Sequence, residues 1–204
     1  MLLDLIKLHD KYNMCVTGVL HIGAHFGEEN KIYDMLEYPN RVFFEPLLKN
    51  FNVLSTNVSD KEHVLYNMAL GAARGVKTMY VESANQGQSS SILKPKIHLK
   101  QYPHITFPER EKVSIDTLDN VIKNKLTYNF INMDVQGYEL EVLKGAPQIL
   151  KNIDYLMCEV NREEVYEKCC MVEEVDNFLQ SYNLERVETN WAGHTWGDAF
   201  YVRK

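Results

Sequence analysis

Three acids in this 204-residue chain follow short apolar runs, at the places where a parallel strand would end. Glu45 follows Arg41-Val-Phe-Phe, Asp134 follows Tyr128-Asn-Phe-Ile-Asn-Met, and Glu159 lies near the close of Asp154–Val160. A fourth feature is the stretch VTGVLHIGAHFGEE, residues 16–29, where an apolar run breaks into a turn bracketed by Gly23 and Gly27 and passes into an acidic, helix-prone segment. Glycine at such a bend permits a sharp reversal or the close approach of a ligand to the backbone. The first N–H groups of the following helix can then receive oxygens of a nucleotide or a carboxylate. Glu45 follows Gly23 by about 20 residues, the spacing at which a carboxylate meets ribose hydroxyls in nucleotide-binding βαβ units. In a doubly wound sheet, ligands lie beyond the carboxyl ends of the strands, so the glycine turn, Glu45, Asp134 and Glu159 are expected to face one crevice. The structural alternative for each acid is a strand-end residue capping the next helix.

Other reactive side chains carry weaker patterns. Ser89, Ser90 and Ser91 offer hydroxyls and N–H groups, but no adjacent histidine and acid nominate a serine nucleophile. Trp191, His194 and Trp196 cluster in NWAGHTWG, where aromatic faces either stack on a sugar ring or pack on a sheet edge. His21 sits inside the first apolar run and reads as a hydrogen-bonded core histidine. The four cysteines form no CxxC pair, which argues against a zinc knuckle or a thioredoxin-like site. Cys158 is expected in the core, and Cys169 and Cys170 partly exposed.

The elements that must position these residues alternate strand and helix. Leucines and Ile6 recur along one side of a helix over about residues 2–12. After the glycine turn, a helix is expected over 28–37, a strand over 41–44, a helix over 47–58 and a strand over 63–67. This alternation implies a largely parallel sheet with helices on both faces. Residues 71–81 have the character of a hairpin extension. Residues 84–108 lack periodicity, and a loop of that length is either a binding lid or a mobile surface segment. A short strand then runs from Lys112 into a helix capped by Asp116 or Thr117, followed by the strand that ends at Asp134 and a helix over 138–144 that continues at 149–151. The strand at 154–160, a helix over 172–182 and a terminal strand pair at 184–189 and 198–203 complete the chain.

Composition narrows the function classes. A hydrophobic content of 45% supports one core, so a single domain over 1–204 is expected. The formal net charge of −6 argues against nucleic acid or an anionic membrane surface as partner. No apolar run approaches the roughly 20 residues of a membrane span, and the charged N-terminal stretch differs from a signal peptide. Free thiols fit a reducing compartment, so a cytoplasmic location is expected.

Taken in order, VLHIGAHFGEE, FFEP, SSSI, VSIDTLD, FINMDVQGYELEVLKGA and GDAFYVR resemble the FkbM-type S-adenosylmethionine-dependent methyltransferases, from about residue 16 onward. The resemblance implies a class I methyltransferase (Rossmann-like) fold, with seven strands in the order 3-2-1-4-5-7-6 and strand 7 antiparallel. It implies S-adenosylmethionine as cofactor, with Gly23, Ala24, His25 and Gly27 around its methionine part, Glu45 on its ribose, Asn67 and Ala69 near its adenine and Asp134 close to its sulfonium. The expected reaction is O-methylation of a small-molecule or glycan acceptor, a sugar above others. Asp134 would be the leading base, with Glu159 and His25 in reserve. Ser89, Ser90, Trp191, His194 and Trp196 would face the acceptor. Holding a divalent cation is a second use of Asp134 and Glu159, although two carboxylates make a thin shell for magnesium. Two departures stand out, because family members often carry aspartate where this chain has His21 and glutamate where it has Gln136. The rivals are a nicotinamide-dependent oxidoreductase, against which HIGAHFG lacks the spacing G-x-G-x-x-G, and a noncatalytic module on the same fold.

Overall fold

The computed structural model describes residues 2–58 and 63–204. Helix α1 spans Leu5–Tyr12; Asp4 caps it by accepting the N–H groups of Ile6 and Lys7. Strand β1 (Val19–Ile22) leads through the glycine turn to α2 (Asn30–Met35), β2 (Arg41–Phe44), α3 (Leu48–Asn57) and β3 (Val64–Tyr66). Strands β4 (Ala69–Leu70) and β5 (Gly75–Val81) follow, then the short α4 (His98–Gln101), β6 (Glu109–Asp116) and α5 (Leu118–Val121). The chain closes with β7 (Phe130–Met133), α6 (Glu139–Lys144), β8 (Tyr155–Asn161), α7 (Val172–Gln180), β9 (Leu184–Ala192) and β10 (Trp196–Arg203).

Seven strands form one sheet in the order β3-β2-β1-β7-β8-β10-β9, parallel except that β10 runs antiparallel to both neighbours. This is the order the resemblance implied. The continuous apolar runs of β1 and β7 are explained by burial on both faces. Leu20, Ile22, Ile131 and Met133 pack with Val142, Leu143, Val175 and Leu179, whereas Val19, Phe43 and Phe130 pack with Leu5, Leu8, Tyr33 and Leu54. None of the described helices is long and apolar enough to cross a membrane.

Several expectations need correction. The helix expected at 28–37 begins only at Asn30, because Gly27 (φ +77°) and its neighbours form a turn whose N–H groups are already satisfied, Gly27 N–H by Ala24 O and Asn30 N–H by Gly27 O. Residues 71–81 form no hairpin; β5 pairs antiparallel with the distant β6, and β4-β6-β5 is a separate three-stranded sheet. The terminal strands are longer than expected and joined by residues 193–195 alone, so Trp191 and Trp196 lie in strands rather than in a loop. Cys169 and Cys170 are both buried, covered in the packing around Val165 and Tyr166 and beside α6 and α7.

Candidate active site

The carboxyl ends of β1, β2 and β7 border a cavity of about 530 Å³, within the roughly 300–1,000 Å³ of small-molecule sites. Its floor is the glycine turn. Gly23 and Ala24 donate their N–H groups to Phe44 O (3.0 and 2.9 Å), which stitches the turn to β2. At Gly23 (φ +77°) a Cβ would sit 1.8 Å from the Asp134 carbonyl oxygen, so the β1 and β7 loops approach more closely than any side chain would allow. His25 (φ +48°) then turns its N–H onto Glu45 Oε2 at 3.0 Å.

Glu45 is buried and also accepts the Leu47 N–H (2.9 Å). Burial nevertheless dominates and pushes its carboxyl up to about 7. The His25 ring has an acceptor at each nitrogen, Glu28 Oε1 at 2.7 Å and the Gln86 carbonyl at 3.0 Å. Burial pulls its pKa down, but the Glu28 and Gln86 contacts outweigh that and raise it. With a protein partner at each ring nitrogen, His25 ties the turn to the long loop.

Opposite the turn, Gln136 organises an acidic wall. Its Nε2 donates to Asp134 Oδ1 (2.7 Å) and Glu159 Oε2 (2.9 Å), its Oε1 accepts the Tyr166 hydroxyl (2.6 Å), and its carbonyl accepts the Ser91 hydroxyl (2.7 Å). A glutamate here would bring a third carboxylate against two; the neutral amide gives both acids a donor. Burial raises the Asp134 carboxyl to about 6 and the Glu159 carboxyl well above its usual range. Glu159 lies two residues inside β8 rather than at its tip, directly across the ladder from Asp198. Asp198 is itself buried and accepts the N–H groups of Leu2 and Leu3. Glu139 stays out of the cavity lining, accepting the Val135 and Gly137 N–H groups (3.2 and 3.1 Å) to shape the loop after β7.

The expected site residues divide into two groups. Gly23, Ala24, His25, Glu45, Ser89, Ser90, Asp134, Glu159 and Trp196 line the cavity, and so does His21 from below. Gly27 packs instead toward Leu54 and Val58, Asn67 donates to the carbonyls of Glu45 and Pro46, and Ala69 pairs with β6. Trp191 lies under the Arg162 guanidinium (3.6 Å), and His194 is exposed at the β9–β10 turn. Asp198, Glu28, Glu29, His98 and Tyr102 line the cavity without having been nominated. For Asp198 the available signal was its place at the head of a strand antiparallel to the one bearing Glu159. His98 and Tyr102 come from the aperiodic loop and gave none.

A seven-stranded sheet in this order, with the cavity at the carboxyl ends of its central strands, is the class I methyltransferase fold. Solved structures with this fold include magnesium protoporphyrin IX methyltransferase from Synechocystis PCC 6803 with bound SAM (8% identity, 98% of this chain and 76% of that one, TM-score 0.53). Another is a SAM-dependent methyltransferase from Aquifex aeolicus (14% identity, 100% and 91%, TM-score 0.50). The methyltransferase FkbM domain matches residues 21–185, and the chain belongs to that family. It is also similar to the 2-O-methyltransferase NoeI of Sinorhizobium fredii (strain NBRC 101917 / NGR234), at 25% identity over 176 residues covering 81% of this chain and 72% of the relative.

Proposed function

We propose that the protein transfers a methyl group from S-adenosylmethionine to a hydroxyl of a small molecule or glycan, a sugar above others. The observation that carries this reading is the convergence of the glycine turn, Glu45, Asp134 and Glu159 on one cavity. The lining suits a cationic nucleoside. Glu28, Glu29, Glu45, Asp134, Glu159 and Asp198 contribute carboxylates, and no lysine or arginine is among the described lining residues. Membership of a methyltransferase family favours methyl over hydride transfer, and the name of the NoeI relative supports oxygen as the receiving atom.

When bound, the cofactor supplies an electrophilic methyl group on a sulfonium. Gly23, Ala24 and His25, whose N–H groups are held by Phe44 O and Glu45, form the surface of the turn against which its amino-acid end would lie, and Glu45 would take the ribose hydroxyls. Gly27 and Asn67 act one step back, by fixing the turn against α3 and the backbone after β2. Asp134 accepts the acceptor's proton: with its carboxyl raised to about 6 it is ionised at neutral pH yet basic enough to help. Burial, with Asp134 beside it, pushes the Glu159 carboxyl up as well, and the Gln136 amide gives both acids a donor. That amide occupies the place between Asp134 and Glu159 where a cation would bridge them, and a strong chelator should leave turnover intact. The reading is tested by calorimetry with S-adenosylhomocysteine, followed by transfer of a labelled methyl group to a glycan panel. Failure to bind the nucleoside would refute it. Binding without transfer to any hydroxyl would favour a noncatalytic module.

A further inference from the structure

We propose that His98, with Tyr102 and Trp196, forms the acceptor-binding wall, where the imidazole takes a hydroxyl of an uncharged sugar and acceptors bearing phosphate or carboxylate are turned away. This rests on the preceding reading of the cavity as a methyl-transfer site. His98 is 4% exposed, borders the cavity from α4, and its Nδ1 has no hydrogen-bond partner. A core histidine is normally satisfied, and a buried ring nitrogen left unpaired beside a cavity is poised for a ligand's polar group.

The setting fixes what that group can be. The ring is held among Tyr102, Phe107 and Tyr166, with centroids 5.1, 5.3 and 5.6 Å away. Burial lowers its pKa, so at neutral pH it is an uncharged imidazole with one N–H and one lone pair, a match for a hydroxyl and a poor match for an anion. Trp196 Nε1 donates to the Tyr102 hydroxyl (3.1 Å), and Gln101 Nε2 donates to Thr195 Oγ1 (2.6 Å), so α4 is fastened to the β9–β10 turn and the aromatic wall is preformed. Aromatic faces beside a polar handle suit the apolar face and hydroxyl edge of a sugar ring. The lining carries six acids and no described lysine or arginine, which disfavours a phosphate or carboxylate on the acceptor.

The test uses the full chain with S-adenosylmethionine, the methyl glycosides of neutral hexoses and deoxyhexoses, and the phosphate monoesters of the same sugars. His98→Phe should raise the acceptor KM about tenfold, the size expected for one hydrogen bond to a polar group. It should leave kcat within about threefold and nucleoside affinity within about twofold, as expected for a contact made equally in ground and transition states. His98→Asn, which restores a donor and an acceptor, should recover part of the loss and serves if His98→Phe fails to fold. Addition of a neutral acceptor to 15N-histidine-labelled protein loaded with S-adenosylhomocysteine should shift the His98 resonances; the phosphate esters should neither shift them nor be methylated. An unchanged KM in both variants, or methylation of the phosphate esters as fast as of the parent sugars, would overturn the proposal. If the nucleoside binds but no sugar is methylated or moves the His98 signal, the wall is refuted while the methyltransferase reading stands. If the nucleoside does not bind, that reading falls, and the His98 signal still decides whether sugars bind here.

Discussion

Replacing Asp134 by asparagine should make the protein more stable at neutral pH and less active. The substituted amide would keep an oxygen for the Gln136 Nε2, now 2.7 Å from the carboxylate, so the packing is conserved and only the charge changes. Burial moves the Asp134 carboxyl from 3.8 to about 6, and a displacement of that size corresponds to about 3 kcal/mol held against the folded state. The side chain is partly open to the cavity, and water there screens some of the charge, leaving about 2 kcal/mol. The sign follows from proton binding. A carboxyl with a raised folded pKa binds protons more tightly in the folded than in the unfolded chain, so it contributes no penalty below pH 3.8, a growing one from there to about 6, and the full one above. Asp134→Asn should therefore unfold about 4–8 °C above the wild type at pH 7.5 and close to it near pH 4, by scanning calorimetry of the ligand-free protein. Methyl transfer should fall by about 10²–10⁴ with loss of the base. A variant less stable than wild type at pH 7.5, or one equally stabilised at both pH values, would refute the account of a buried charge. Full turnover would remove Asp134 from the proton-accepting role.

Three further outcomes are expected. Gln136→Glu should lose at least about 3 kcal/mol at pH 8, from two donor bonds to carboxylates and a third acid beside them; in urea titrations the loss should shrink at pH 5, where these acids hold protons. Gly23→Ala should cost at least about 2 kcal/mol, since φ +77° and the Asp134 carbonyl both oppose a Cβ, and circular dichroism during thermal unfolding measures it. The affinity for S-adenosylhomocysteine should strengthen as pH rises through about 7, where Glu45 ionises; Glu45→Gln should weaken binding about tenfold at pH 8 and flatten that dependence in calorimetry.

The parts of this molecule written locally were legible in its sequence. β1, β2 and β7 announce themselves as mainly apolar runs, each with one polar residue, because both faces of the central sheet are covered, and the glycine turn is visible because Gly23 faces a carbonyl at a distance no other residue tolerates. The pairing of β5 with β6 was not legible, since the partner lies beyond a long loop and strand-type residues do not name their neighbours. Nor was the order of the seven strands, which came from resemblance to a family. The acids at the cavity could be found because strand ends point there; His98 and Tyr102 reach the same region from an aperiodic segment held by tertiary contacts such as Tyr166 to the Ser89 carbonyl and Ser91 to the Gln136 carbonyl. Asn67 and Ala69 sit at the expected sequence distance from β3, but one amide is spent on backbone carbonyls and the other residue on pairing with β6.

β10 follows β8 and β9 in the chain and yet lies between them in the sheet. The edge strand β9 therefore joins the sheet only through β10, and its place depends on the β8–β10 ladder. Insertion of the last hairpin arm delivers Trp196 and Asp198 together with the final backbone pairs. The strand that attaches the sheet's edge is thus also the one that carries Trp196 and Asp198 to the cavity, so whatever loosens the β8–β10 ladder also opens that wall.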